Sequence, residues 1–66
     1  MLIDIEREED GRWIAEITEM PGTLVYGGTR EEAINKVKAL ALRVMADRLE
    51  NGEEVRDLKQ VFDVAS

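Results

Sequence analysis

Cysteine and histidine are both absent from the 66 residues of the chain, and serine occurs only at the last position, Ser66. Without cysteine the chain has no disulfide and no thiolate metal site, and without histidine it has no imidazole base or ligand. The absence of cysteine fits a reducing cytosol. Because the common nucleophiles and bases are missing, we expect a protein that is not an enzyme and that holds no cofactor or metal.

Long apolar runs are missing as well. Residues 2–10 already contain Asp4, Glu6, Glu8, Glu9 and Asp10, which does not fit the apolar core of a signal peptide. No run approaches the ~18 apolar residues of a membrane-spanning helix. We therefore expect a soluble cytoplasmic protein that makes no contact with a membrane.

Acidic residues outnumber basic ones by 15 to 9, which gives a net charge of −6. This charge opposes direct binding to nucleic acid, because such binding depends mainly on the neutralisation of phosphates. It suits a basic protein partner, although a requirement for solubility explains an acidic surface equally well. A chain this short forms one domain that buries only ~60% of its unfolded surface, and self-association would enlarge its core.

Two alternations of apolar and polar residues near the N-terminus predict a β-hairpin. A three-residue loop over residues 9–11 pairs Ile5 with Ala15, whereas a two-residue loop would pair Ile5 with Glu16. Only the longer loop places the apolar sides of both strands on one face. We therefore predict that loop, with Gly11 in the left-handed region. The two strands are Leu2–Arg7 and residues 12–17.

Pro21 and Gly22 occupy the two central positions of a predicted type II turn, which requires a positive φ at the second of them. A third strand over residues 23–26 follows, and it ends at Gly27 and Gly28. Three strands joined by short turns make an antiparallel meander.

A capping box formed by Thr29 and Glu32 marks the start of a helix. The helix is predicted to run from about residue 30 to residue 49 or 50, and Asn51 and Gly52 are expected to end it. The apolar positions that should face the sheet form one stripe, which consists of Ala33, Ile34, Val37, Leu40, Ala41 and Val44.

Three further apolar residues of the helix, Leu42, Met45 and Leu49, widen this stripe. The apolar arc reaches about 200°, against the ~100° that one packed face requires. We expect these three side chains to remain exposed after one intrachain interface has formed. They predict a homo-oligomer, either a dimer or a tetramer.

The sheet face opposite the helix is a second candidate interaction surface. Leu2 and Ile14 fall on it, and no predicted element covers them, so the face is available to a partner. Trp13 shares the face of Ala15, which favours a core position over an interface. Tyr26 lies near a strand end and fits either. The candidate interaction residues are therefore Ile14, Leu42, Met45 and Leu49.

Residues 53–66 carry two overlapping patterns. Val55, Leu58, Val61 and Phe62 have helical spacing, whereas residues 61–64 are typical of a short strand. We predict an irregular or partly helical stretch and then a fourth strand over residues 60–65. A right-handed crossover after the helix makes this strand parallel to the first. The predicted fold is α+β, with element order β-β-β-α-β and strand order 3-2-1-4.

Asp4 and Asp63 would come close if the fourth strand lies beside the first, and two carboxylates could hold Mg²⁺. A two-metal nuclease needs several convergent carboxylates. Strand alternation explains both residues more simply, so a residual metal-dependent nuclease remains a lesser alternative.

Four segments occur in a recognisable order, namely D-G-R-W-I-A at residues 10–15, E-M-P-G at 19–22, Y-G-G-T-R-E-E-A at 26–33 and A-L-A-L-R-V at 39–44. In their order and spacing, over about residues 4–50, they resemble the HicB-type antitoxin family. The resemblance implies a truncated ribonuclease-H-like fold. It also implies a type II toxin–antitoxin role, in which the antitoxin binds a small HicA-like mRNA-cleaving toxin and masks its active site.

Many members of that family carry a C-terminal helix-turn-helix or ribbon-helix-helix domain that binds DNA. The chain departs from this pattern, and we expect residues 1–66 to form a single HicB-like domain without such an addition. The alternative to an antitoxin is an orphan oligomeric binding domain that has no toxin partner.

Overall fold

A computed structural model describes residues 1–55 and 63–65 of the chain. It has an α+β fold in which three antiparallel strands lie beside one long helix. The elements in chain order are β1 (Leu2–Arg7), β2 (Trp13–Glu16), β3 (Leu24–Gly27), α1 (Arg30–Glu50) and β4 (Asp63–Ala65). Within the described residues, no helix is both long and apolar enough to span a membrane.

The hairpin between β1 and β2 has the predicted three-residue loop. The N–H of Gly11 donates to the carbonyl of Glu8 at 3.0 Å, and the N–H of Glu8 donates to the carbonyl of Arg12 at 2.7 Å. Gly11 has a φ of +89°, which is the left-handed conformation that glycine adopts at little cost. The register pairs Ile5 with Ala15. The loop length predicted from matching apolar faces is therefore confirmed.

The connection between β2 and β3 is held by hydrogen bonds to and from Thr23. Its N–H donates to the carbonyl of Met20 at 3.2 Å, and Gly22 has the predicted positive φ. The buried Thr23 hydroxyl donates to the carbonyl of Ile17 at 2.9 Å. Because Ile17 and Thr23 take part in these loop bonds, β2 ends at Glu16 and β3 begins at Leu24. Each strand boundary differs by one residue from the prediction.

Helix α1 begins at the predicted cap. The Thr29 hydroxyl accepts a hydrogen bond from the N–H of Glu32 at 3.1 Å. The Lys36 ammonium lies 2.8 Å from the Glu32 carboxylate, one turn further along the helix. A hydrogen bond from Lys36, the charge of Lys36 and the N–H of Gly28 all lower the pKa of Glu32. The first turn is thus stabilised by a cap and an exposed ion pair.

The helix ends in a Schellman motif. The N–H of Gly52 donates to the carbonyl of Leu49 at 3.1 Å, and the N–H of Glu53 donates to that of Arg48 at 2.8 Å. Gly52 has a φ of +79°, as this motif requires. Asn51 is the C-cap, so both predicted boundaries of the helix are confirmed.

The core lies between α1 and one face of the sheet. Half-buried Trp13 and Val25 pack against it, so Trp13 lies on the core side of the sheet, as predicted, but is not fully buried. Among the described residues, the buried hydrophobic ones are Met1, Ile3, Ile5, Ala15, Ile17, Met20, Ala33, Ile34, Val37, Ala41 and Met45.

The helix and the sheet approach each other most closely at Gly27. A Cβ placed there would lie 2.5 Å from the backbone nitrogen of Ala33 and 2.9 Å from its Cα. Contacts this short do not occur, and the obstructing atoms are backbone, so β3 and the start of α1 can keep this separation only with glycine at position 27.

β4 lies beside β1 and parallel to it, with Ile3 opposite Val64. The strand order is β3-β2-β1-β4. The sequence predicts a longer strand, over residues 60–65, after a partly helical stretch. Residues 56–62 lie outside the described residues, so the full fourth strand remains a prediction.

Candidate interaction surface

The face of the sheet that points away from α1, here called the open face, carries apolar side chains from three strands. Leu2, Leu24 and Tyr26 are 43%, 44% and 42% exposed, and Ile14, on β2 between β1 and β3, is half-buried. Ile14 lies directly opposite Tyr26. The described residues place no helix or strand on this face. It therefore presents apolar side chains that a partner could cover.

Carboxylates alternate with these apolar side chains on the open face. Asp4, Glu6 and Glu16 are all exposed, and Asp4 lies directly opposite Glu16 in the β1–β2 register. Like charges in this position destabilise a sheet, because the side chains of opposite residues are only ~5 Å apart. None of the three carboxylates forms an ion pair with a cation in the described part of the chain. The open face is therefore both apolar and strongly negative.

Arg12 lies at the border of this face, and its positive charge is already engaged. Its guanidinium carbon lies 4.5 Å from the centre of the Tyr26 ring, a cation–π distance. Its Nε lies 2.7 Å from the Asp10 carboxylate, which also accepts from the Arg12 N–H at 3.0 Å. These bonds, first of all the one from the backbone, lower the pKa of Asp10. Arg12 therefore orients Tyr26 but does not neutralise the carboxylates of the open face.

The outer flank of α1 is a second, smaller apolar surface. Leu42 and Leu49 are 52% and 48% exposed, and the exposed Ala46 lies between them. These three positions define the helix flank. Their spacing of four and three residues places them on one side of the helix.

Met45 does not belong to this exposed flank. It is 2% exposed and lies in the core, so the expectation that it remains uncovered after one intrachain interface is wrong. Met1, Met20 and Val55 line the same depression as Met45. They come from the N-terminus, the β2–β3 connection and the segment after α1. The pattern of apolar residues in the helix does not predict that these segments pack near Met45. Ile14, Leu42 and Leu49 remain predicted interaction residues.

The described residues contain no group of three or more carboxylates placed to hold a metal ion. In the β1–β4 register Asp63 lies opposite Leu2, and Asp4 lies opposite Ala65, so Asp4 and Asp63 are diagonal neighbours rather than a direct pair. The depression near Met45 has a volume of about 200 Å³, below the ~300 Å³ of a small-molecule site.

Leu24 and Tyr26 are the residues of the open face that the sequence argument missed or left undecided. Their assignment depends on the β2–β3 register, which the residue pattern did not predict. It places Leu24 opposite Glu16, and Tyr26 opposite Ile14. Once Ile14 is assigned to the open face, this pairing assigns the other two. The register in turn depends on the length of the loop before Thr23, which could not be inferred from alternation alone.

Comparison of the chain with protein-family models, with curated proteins and with solved structures finds no match. The resemblance to HicB-type antitoxins therefore remains a prediction from the order and spacing of its segments.

Proposed function

We propose that this chain is an antitoxin-type, protein-binding domain of the cytoplasm that neutralises a small basic HicA-like toxin, and that it is not itself an enzyme. The observation that carries the proposal is the open face, where exposed apolar side chains alternate with carboxylates that have no cationic partner among the described residues. A toxin that cleaves mRNA must present positive charge to hold RNA. Complementary charge accelerates encounter and selects the partner, while apolar burial supplies lasting affinity.

The fold relationship is part of the proposal. Three antiparallel strands followed by a long helix agree with the arrangement that the HicB resemblance implies. With a complete fourth strand parallel to β1, the chain would have the β-β-β-α-β order of a truncated ribonuclease-H-like domain. That the chain is a binding domain and not a nuclease is likewise part of the proposal.

A homo-oligomer is the second part of the proposal, and the helix flank supports it. Leu42 and Leu49 leave about half of their surface exposed in the isolated chain. Two copies related by a two-fold axis can pack this flank against itself, because an isologous interface requires only one self-complementary patch. The same flank favours the alternative, an orphan oligomeric binding domain, if no small basic protein is encoded beside this chain.

Calorimetric titration of the purified chain with any small basic protein that a neighbouring gene encodes tests the function. We expect a stable complex whose affinity decreases as the salt concentration is raised from about 0.1 M to about 1 M, because the Debye length shrinks from ~10 Å to ~3 Å. The apolar contribution should keep part of the affinity at high salt. An unrelated basic protein of similar size and charge serves as the control. Equal binding of both proteins, or of neither, would contradict the proposal.

A further inference from the structure

We infer that the open face, and not the helix flank, is where the partner binds, and that the partner places a lysine or arginine between Asp4 and Glu16. This inference rests on the proposed function for the kind of partner, a basic protein, and adds the surface and the charge contact. The partner segment must combine basic side chains with apolar ones, because the open face itself alternates the two.

The apolar side chains of the open face lie on three neighbouring strands. Tyr26 and Ile14 lie opposite each other on β3 and β2, and Leu24 lies opposite Glu16 one pleat away. Leu2 adds an exposed apolar side chain at the start of β1. A partner that covers this face therefore buries apolar side chains from three strands at once, which scattered exposed residues would not allow.

The Asp4–Glu16 pair gives the surface its selectivity. In the isolated chain the two carboxylates are directly opposite each other, and neither forms an ion pair with a cation of the described residues. A cationic side chain placed between them would replace repulsion with two attractive contacts. This relief occurs only when a basic partner is bound, so it favours the complex specifically over the free chain.

Other occupants of the open face are disfavoured by the same charges. A second copy stacked face to face would bring Asp4, Glu6 and Glu16 against their own counterparts, and juxtaposed like charges are costly. Nucleic acid and anionic membrane surfaces would be repelled by these carboxylates for the same reason. The helix flank is a poorer site for a basic partner, because the exposed Arg43 adjoins Leu42.

A synthetic peptide of alternating leucine and lysine is a suitable probe, with a leucine–glutamate peptide as its control. In an NMR titration of the isotope-labelled full chain, we expect the lysine peptide to shift the amide signals of Asp4, Ile14, Glu16 and Leu24. The glutamate peptide should leave them unchanged. Shifts confined to the region of Leu42 and Leu49, or equal shifts with both peptides, would overturn the inference. Because the probe is not the toxin, that failure would leave the proposed function standing.

The substitution Glu16→Lys separates binding from stability. It turns the repulsive pair with Asp4 into an attractive one, so the unfolding midpoint of the free chain should rise by roughly 2–5 °C. Affinity for the lysine peptide should nevertheless fall by about tenfold or more. Glu16→Gln should give a smaller loss.

Glu9→Lys is the matched control, because it makes the same change of charge in the exposed hairpin loop. We expect it to weaken binding of the lysine peptide by about threefold at most, through net charge alone. The inference would be overturned by equal losses in Glu16→Lys and Glu9→Lys. It would also be overturned by a fall in the midpoint of Glu16→Lys, which would show that Asp4 and Glu16 do not repel.

Discussion

Replacement of Gly27 by alanine is expected to destabilise the fold by about 3 kcal/mol, at the upper end of the cost of overpacking. The added Cβ would lie 2.5 Å from the backbone nitrogen of Ala33, so β3 and the start of α1 must move apart. For a domain of this size, each kcal/mol lowers the melting temperature by roughly 4–8 °C. Thermal and urea unfolding followed by circular dichroism would measure the loss.

Gly28→Ala is the matched control for this substitution. A Cβ at Gly28 meets only the end of the Glu32 side chain, at 3.5 Å, which is an ordinary contact. We expect a change within about 1 kcal/mol, as for an exposed glycine whose conformation alanine can adopt. If Gly27→Ala and Gly28→Ala unfold at the same midpoint, the close approach of β3 to α1 is not as described.

The double substitution Leu42→Asp with Leu49→Asp is expected to convert a homo-oligomer into a monomer of 7.5 kDa. Each leucine contributes ~1.5–3 kcal/mol when fully buried, so the loss of both should weaken self-association by about a hundredfold or more. Both side chains are exposed in the isolated chain, and the fold itself should therefore tolerate the change. Sedimentation at micromolar concentration, compared with that of the unsubstituted chain, measures the effect.

Leu24→Asp provides the control, because it makes the same substitution at a leucine of similar exposure on the open face. It should leave the oligomer intact and weaken the binding of a basic partner instead. An unsubstituted chain that sediments as a monomer would refute the oligomer. If Leu24→Asp dissociates the oligomer, self-association uses the open face and not the helix flank.

Local signals in the sequence were sufficient for the hairpin and the helix. The hairpin loop followed from the requirement that apolar faces agree, and the ends of the helix followed from Thr29, Asn51 and Gly52. Each of these features depends on hydrogen bonds between residues at most a few positions apart in the chain. Such short-range chemistry is visible in a pattern of residue types.

The burial of Met45 and the position of Leu24 on the open face were not predicted from the sequence. Met45 is buried because side chains from Met1, Met20 and Val55 reach the same end of the helix, and a helical pattern contains no information on such distant segments. Leu24 belongs to the open face because of its pairing with Glu16, which depends on the path of the preceding loop. The part of the candidate surface that sequence missed was therefore the part set by long-range register and packing.

The most direct test of the antitoxin role is a growth assay in which this chain is expressed together with any small basic protein that a neighbouring gene encodes. The basic protein should arrest growth when expressed alone or with an empty vector. Expression of this chain should restore growth, because the complex would mask the toxin's active site. If the basic protein remains equally toxic in the presence of this chain, the antitoxin role is contradicted.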